Sequence, residues 1–229
     1  MRIITLCICA LLILNGCASK PKEPRYYHHS YHVVKKGDTL YSISWRYGID
    51  AKQLARWNKI PYPYTIYPGQ RLRLNSTAPT SRTTAARSSK KPNSKKAAKK
   101  QVERKVKAVP IGDWRWPIKG KLLSKFSAQN NGIDIVAKEG TIVSAASSGK
   151  VVYAGSGLRG YGNLLIIKHN ASYFSAYAHN RRLLVTEGST VKAGQKIAEV
   201  GSTGTDRAKL HFEIRKDGNP VNPLNYLPR

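Results

Sequence analysis

Three short stretches in the carboxyl-terminal half of the sequence carry side chains that can do chemistry. Asp134 lies in NNGID, His179 in YAHN and His211 in KLHFEI. Aspartate oxygens and histidine nitrogens are ligands of catalytic zinc, which takes three protein ligands and keeps one position for water. Lys209 stands two residues before His211 and is a cation at neutral pH, since a lysine side chain has an unperturbed pKa of about 10.4. An ammonium group has no lone pair and repels a divalent metal, so the pattern leaves open whether these residues form a metal centre.

The elements that must position these residues are short strands. No long amphipathic helix appears between residue 113 and the end of the chain, where apolar runs alternate with glycine-containing turns. TIVSAA and VVYAG are predicted to be strands joined by the turn SSGK, and GNLLIIKHN is predicted to pair with YFSAYAHN. We therefore expect a compact, β-rich domain over residues 113–229.

A second patterned region, residues 31–75, predicts the order strand, helix, helix, strand. Asp38 or Thr39 is expected to cap the first helix and Asp50 the second, because short polar side chains accept hydrogen bonds from free helical N–H groups. The turn Pro68-Gly69 precedes the alternating strand QRLRL. The predicted fold class is α+β, with a small βααβ module and a separate β-rich domain.

The strongest charge in the chain lies between these two regions. The net charge is +28, and residues 81–107 hold eleven lysines and arginines against one acid, Glu103. Few apolar side chains occur there, so residues 76–112 are predicted to be a disordered basic linker. A solvated spacer and a segment that binds anionic lipid, lipopolysaccharide or cell wall are both open. A nucleic-acid-binding tail has similar charge, but the export signal described next argues against a nucleic-acid partner.

Residues 1–16 predict a signal peptide. Arg2 supplies a positive start, and the apolar run 3–14 is too short to span a bilayer as a permanent helix. The run ends in LNGC, which resembles a bacterial lipobox and implies cleavage before Cys17 and lipidation of that cysteine. An ordinary secretory signal cut elsewhere is the alternative.

The lipobox has two further implications. Cleavage removes the only other cysteines, Cys7 and Cys9, so the mature chain has no cysteine for disulfides and depends on packing for stability. Ala18 follows the lipidated cysteine, which by the family's rules implies sorting to the outer membrane. Residues 17–30 are then a tether to a lipid anchor that faces the periplasm.

Residues 31–75 resemble the LysM module over its whole length. The resemblance implies binding of glycans that contain N-acetylglucosamine, here peptidoglycan, in a groove between residues 37–41 and 60–66. Packing in the core is the alternative role for its apolar positions. The residues that carry the resemblance are Val33, Gly37-Asp38-Thr39-Leu40, Ile43, Tyr47-Gly48, Leu54, Asn58, Pro68-Gly69-Gln70 and Leu72. The predicted glycan contacts are Gly37, Asp38, Thr39, Leu40, Ile60 and Pro61.

The region from Trp114 to Leu227 resembles the LytM or lysostaphin-type zinc metallopeptidase domain. That family binds zinc through His-x-x-x-Asp and the second histidine of His-x-His. Its other catalytic histidines come from Tyr-x-His and the first position of His-x-His. The motifs that carry the resemblance here include GID at 132–134, GYGN at 160–163, IKH at 167–169, YAH at 177–179, GSTG at 201–204 and LHFEI at 210–214.

The correspondence makes Asp134 and His211 the remaining ligands and His179 the remaining catalytic histidine. Asn130 stands where the first ligand histidine belongs, and Lys209 replaces the first histidine of His-x-His. Two ligands do not make a catalytic zinc site, so we expect no bound metal, no other cofactor and no hydrolytic activity. We expect Lys209 to pair with Asp134 in place of the metal.

The degenerate site is predicted to be a groove that binds a partner without cutting it. Its residues are Asn130, Asp134, Tyr161, His179, Lys209 and His211. A purely structural polar cluster is the alternative. The whole arrangement resembles NlpD-type lipoproteins, which implies a non-enzymatic activator of a peptidoglycan N-acetylmuramoyl-L-alanine amidase in daughter-cell separation. A zinc endopeptidase with an atypical site and a passive wall-binding lipoprotein are the other two readings.

Overall fold

The computed structural model describes residues 30–75 and 114–229. The predicted signal peptide, the tether up to residue 29 and the linker lie outside these residues. We refer to residues 30–75 as the first module and to residues 114–229 as the second module. Within both modules, no helix is long and apolar enough to cross a membrane.

The first module has the predicted βααβ order: β1 Tyr31–Val33, α1 Leu40–Tyr47, α2 Ala51–Trp57 and β2 Arg71–Arg73. β1 and β2 pair antiparallel. Thr39 caps α1 with a capping box that includes Ser42, and the Asp50 side chain accepts from the main-chain N–H of Gln53 at the start of α2. A buried cluster joins the elements, formed by Val34, Leu40, Ile43, Leu54, Ala55, Ile60, Leu72 and Leu74.

The second module is an antiparallel β structure, as predicted. Its central order is β3-β4-β11-β8-β7-β6-β9, with β12 beside β11 and with β10 between β5 and β8. The strands are β3 Lys121–Ser124, β4 Ile133–Val136, β5 Ile142–Ser144, β6 Gly149–Gly155, β7 Asn163–Lys168, β8 Tyr173–Leu183, β9 Thr190–Val191, β10 Lys196–Val200, β11 Lys209–Lys216 and β12 Asn219–Val221, followed by a short 3₁₀ helix, Pro223–Asn225.

One predicted connection is different. The strands in TIVSAA and VVYAG, now β5 and β6, do not pair with each other. β5 pairs with β10, and β6 pairs with β7 and β9. The connecting segment turns away because Ala145 exchanges main-chain hydrogen bonds with Gln195 and Gly194, beside β10. The predicted hairpin of β7 and β8 is present, with Ile166 opposite Ala176.

Both faces of the central strands are covered. Consecutive residues of β7, Leu164 to Ile167, are all fully buried. Leu165 and Ile167 enter the main core. On the outer face of the sheet, apolar side chains of β7 and β8 pack against Trp45 of the first module. The sequence of β7 is therefore continuously apolar rather than alternating, because neither face of the strand is exposed to water. The outer-face residues are Leu164, Ile166, Phe174, Ala176 and Ala178.

His169 has a structural position at the edge of the main core. Its Nδ1 lies 2.8 Å from the carbonyl oxygen of Ser148, which only accepts, so Nδ1 carries the proton. The ring packs edge-on against Trp114, with centroids 4.8 Å apart. Burial lowers the pKa of His169 to about 4, so the ring is neutral near pH 7.

His169 should make the protein less stable in mild acid. The unfolded chain protonates it near pH 6.5, whereas the folded chain does so only near pH 4. Stability is therefore complete above pH 6.5 and is lost as the pH falls towards 4, by about 3 kcal/mol at roughly 1.36 kcal/mol per pKa unit. Urea unfolding at stepped pH should show a shallower decline for His169→Gln across this window. An unchanged slope would contradict the assignment.

Candidate functional site

Four charged or titratable side chains form a row along β11. Lys209, His211, Glu213 and Arg215 alternate with apolar residues, and the pleat of the strand places them on one face of the sheet. We call them the charge row. The residues between them, Leu210, Phe212 and Ile214, point into the main core. Glu213 is fully buried, so its negative charge needs partners within the protein.

Asp134 joins the charge row from the neighbouring strand β4. It lies directly opposite His211 in the antiparallel ladder. Its Oδ1 is 2.7 Å from His211 Nδ1, and its Oδ2 is 3.0 Å from Lys209 Nζ, so the ion pair expected between Lys209 and Asp134 is present. Burial alone would raise the pKa of Asp134, but the bonds from His211 and Lys209 hold the pKa below its usual value.

His211 bridges two carboxylates. Its Nδ1 faces Asp134, and its Nε2 lies 3.2 Å from Oε1 of Glu213. A carboxylate on each side favours a proton on each ring nitrogen. Burial opposes the charged form, but the hydrogen bonds to Asp134 and Glu213 outweigh it and raise the pKa of His211 to about 9. The ring is therefore an imidazolium at neutral pH.

Glu213 connects the charge row to the first module. Its Oε2 accepts from Nε of Arg215 at 2.9 Å, and its Oε1 accepts from the Tyr161 hydroxyl at 2.7 Å. Arg215 donates through Nη1 to the carbonyl oxygen of Trp45 at 2.8 Å, and its guanidinium lies 3.7 Å from the centroid of that indole ring. Trp45 also donates from Nε1 to the Tyr161 hydroxyl at 3.3 Å.

His179 lies beside the charge row and is held by the loop that follows β10. Its Nδ1 is 2.9 Å from the carbonyl oxygen of Thr203, and its ring centroid is 6.1 Å from that of His211. The backbone of His179 has a φ of 63°, in the left-handed region that few non-glycine residues adopt. Its main-chain N–H donates to the carbonyl oxygen of Tyr161 at 2.8 Å, which fixes this conformation.

Asn130 is oriented differently from the other predicted groove residues. Its side-chain amide donates to the carbonyl oxygen of Gly132 at 3.0 Å and lies 3.4 Å from that of Lys125. The amide therefore supports the loop before β4. Side-chain hydrogen bonds or ring contacts connect five of the six predicted residues, whereas the hydrogen bonds that the Asn130 amide donates go to main-chain carbonyl oxygens.

These residues do not fit a zinc ion. Both ring nitrogens of His211 already face carboxylates, so a metal would have to displace a hydrogen-bonded proton to bind there. Lys209 places an ammonium on the Asp134 oxygen that a metal would need. Among residues 30–75 and 114–229, no three His, Cys, Asp or Glu side chains form a group that could hold a metal ion. The two carboxylates of Asp134 and Glu213 are matched by internal cations, so little negative charge remains to attract an external one.

The predicted glycan contacts occupy different environments in the first module. Leu40 and Ile60 belong to its core, where they are 1% and 9% exposed, so a ligand there would meet main chain rather than these side chains. Asp38 accepts from Nε2 of His32 at 2.8 Å and from the main-chain N–H of Lys35 at 2.9 Å. Gly37 and Pro61 belong to exposed loops. Thr39 caps α1 and also contacts the second module.

Sequence reasoning missed Trp45, Glu213 and Arg215. The signal for the last two was present, because the alternation in KLHFEIR places them on the same face as Lys209 and His211. Trp45 lies off the apolar stripe formed by Leu40 and Ile43 in α1. A single apolar side chain off the stripe is common at protein surfaces, so no sequence signal identified this contact.

Comparisons with protein families give two matches. Residues 128–223 match peptidase family M23, and residues 32–75 match the LysM domain. Both matches lie within the described modules, and together they agree with the two resemblances seen in the sequence.

Individual relatives cover both modules. The chain is 48% identical to the "Lipoprotein NlpD/LppB homolog" of Pseudomonas aeruginosa, over 94% of this chain and 82% of that protein. It is 44% identical to the "Uncharacterized lipoprotein YgeR" of Escherichia coli, over 95% of this chain and 89% of that protein. It is 41% identical to the "Murein hydrolase activator NlpD" of E. coli, over 89% of this chain and 69% of that protein.

Removal of the lysine from the charge row should destabilise the fold. In Lys209→Met, Asp134 loses a charged hydrogen-bond donor and keeps only His211, so we expect a loss of roughly 1–3 kcal/mol in the free energy of unfolding. Lys196→Met, at an exposed position of β10, is the control and should change stability by less than about 0.5 kcal/mol. Chemical denaturation of both variants measures the difference. Equal stabilities would show that the ion pair contributes nothing.

Proposed function

The chain belongs to the NlpD/LppB family of lipoproteins with LysM and M23 domains, and on that premise we propose that it activates a murein hydrolase without cutting peptidoglycan itself. The hydrolase in this proposal is a zinc N-acetylmuramoyl-L-alanine amidase that acts in daughter-cell separation. The printed name of the E. coli relative, a murein hydrolase activator, supports the activator class.

One observation carries the non-enzymatic part of the proposal. Where an M23 peptidase would need a metal and a base, the charge row has cations of its own. Lys209 is paired with Asp134, and His211 is hydrogen-bonded through its two ring nitrogens to two carboxylates. A zinc-bound water cannot be generated by an ammonium and an imidazolium. What remains is an internally paired and largely buried set of charges, with the Lys209 side chain 16% and the His211 side chain 10% exposed, and this exposed edge beside His179 and Tyr161 is the proposed recognition site for a protein partner.

The partner surface would act by a shift in population. An amidase that is closed in isolation opens more often if the second module binds its open state more tightly than its closed state. The groove residues proposed to make that difference are Asp134, Tyr161, His179, Lys209 and His211, with Asn130 shaping the adjoining loop.

The first module would bring this activity to the cell wall. The LysM match supports binding of peptidoglycan through residues 37–41 and 60–66. A lipid on Cys17 and an outer-membrane location facing the periplasm are part of the proposal, supported by relatives named lipoproteins and, in Haemophilus influenzae, "Outer membrane antigenic lipoprotein B". Two attachments on one chain raise the local concentration of the second module at the wall. The proposed bounds of the two working units are 31–75 and 113–229.

Activation can be tested by release of labelled fragments from purified sacculi. The full chain alone, with or without added zinc, should release nothing above background. A zinc amidase of the same organism should release fragments slowly, and both proteins together should release them at least about five-fold faster. Zinc-dependent release by the full chain alone would mean that a peptidase survives, and no added release with the amidase would remove the activator class.

The groove can be tested separately with His179→Asn. Asparagine tolerates the left-handed φ at this position, so the fold is kept while the imidazole is removed. We expect activation of the amidase to fall several-fold, since groove side chains near the centre of an interface carry most of its energy. Lys196→Asn, on the exposed position of β10, should activate as the unaltered chain does. Equal activation by both variants would place the partner surface elsewhere.

A further inference from the structure

The first module is docked on the outer face of the sheet of the second module. Trp45 of α1 is 6% exposed and packs among Leu164, Ile166, Phe174 and Ala176. The space left between α1 and the sheet there is about 10 Å³, roughly the room for one water molecule. The packing is close at this point, whereas on another side of Trp45 the two modules border a cavity of about 990 Å³ lined by residues of both.

Polar contacts extend this docking along α1. The Thr39 hydroxyl donates to the carbonyl oxygen of Val152 in β6 at 3.2 Å. Arg46 donates to the carbonyl oxygen of Gly157 at 3.0 Å. At the other edge, the β11–β12 turn approaches so closely that a Cβ on Gly218 would lie 2.8 Å from the main-chain nitrogen of Asp50. These bonds fix one orientation of the two modules.

The same contacts reach the loops proposed to hold glycan. The ring centroid of Tyr41, in the first turn of α1, lies 5.9 Å from that of Tyr64 in the second loop and 5.9 Å from that of Phe174 in the sheet. Lys168 of β7 donates to the Tyr41 hydroxyl at 3.0 Å. Burial of this half-exposed ring raises the pKa of Tyr41 to about 12.

From these contacts we propose that the sheet of the second module and a peptidoglycan glycan compete for the same face of the first module. The inference rests on the proposed function, since it takes the glycan groove to lie between residues 37–41 and 60–66. When the modules are docked, the Thr39 hydroxyl donates a hydrogen bond to the carbonyl oxygen of Val152, and the Tyr41 hydroxyl accepts one from Lys168. A sugar that takes these hydroxyls displaces the sheet.

Because the two compete, glycan binding releases the first module from the sheet of the second module. A glycan that binds only the undocked first module shifts the protein towards the undocked state. Undocking uncovers Arg215 and the apolar outer face, and it removes the bond from Trp45 to Tyr161. Tyr161 is hydrogen-bonded to Glu213 in the charge row, so undocking of the first module alters the hydrogen bonds beside the groove proposed for the amidase.

Gly218→Asn tests the proposal in the full chain. Asparagine tolerates the φ of +85° at this turn, but its Cβ collides with the backbone at Asp50 and pushes the modules apart. Gly188→Asn is the matched control, since Gly188 has a φ of +88° and no atom within 4 Å of its Cβ position. If one molecule in ten is undocked, docking weakens apparent affinity about ten-fold.

The probe is a soluble hexamer of N-acetylglucosamine, with affinity measured by calorimetry. Gly218→Asn should bind up to about ten-fold more tightly than the unaltered chain, and Gly188→Asn should bind equally. Equal binding by Gly218→Asn overturns the competition. Weaker binding also overturns it, because it would mean that the sheet helps to form the glycan site.

These measurements separate the inference from the proposed function. Failure of the competition leaves glycan binding and activation of the amidase, which are measured independently, as they were. Absence of hexamer binding in every variant overturns the glycan groove and the competition together, while fragment release by the amidase still tests the activator class.

Discussion

Much of this structure depends on the neutralisation of one buried carboxylate. Glu213 lies in the middle of a sheet with no access to water, and an unpaired charge there would cost several kcal/mol. Hydrogen bonds from three neighbours offset that cost. They come from Arg215 and His211, two residues away on either side in the same strand, and from the Tyr161 hydroxyl. Arg215 in turn needs a second partner, which the first module supplies. The need to neutralise one carboxylate thus links the candidate site to the docking of the two modules.

Asp134 poses the same problem at the other end of the row. In a zinc peptidase a metal would supply the countercharge, whereas here it comes from side chains in the same chain, Lys209 and His211. A covalently attached cation is always present, so the stability of this region does not depend on the concentration of a metal in solution. Small residues, Ala176 and Ala178, lie opposite Glu213 and His211 on β8 and leave room for the row.

Local features of the fold were predictable because they depend on neighbours in sequence. The capping roles of Thr39 and Asp50 and the hairpin of β7 and β8 follow from residues a few positions apart. The pairing of β5 with β10 was not predictable, since partners some fifty residues apart leave no local trace. The ion pair of Lys209 with Asp134 followed from the charges that remain when two metal-site positions change.

The contact between modules was beyond the sequence argument for a related reason. Each module has its own apolar core, so neither pattern requires the other for burial. The surplus apolar face of β7 was visible as an uninterrupted run, but the run alone does not identify what covers it. Only the three-dimensional structure joins it to Trp45, whose ring completes a cation–π stack with Arg215.

Asn130 has a consequence for how this chain can evolve. By resemblance it stands where zinc peptidases have a histidine, yet its amide now holds the loop before β4 through the carbonyl oxygen of Gly132. Reversion of Lys209 alone leaves this position without a ligand, and reversion of Asn130 alone removes a loop hydrogen bond while the ammonium stays on Asp134. Each single step back is therefore disfavoured by the other position. A zinc ligand set at this place would therefore require both positions to change together.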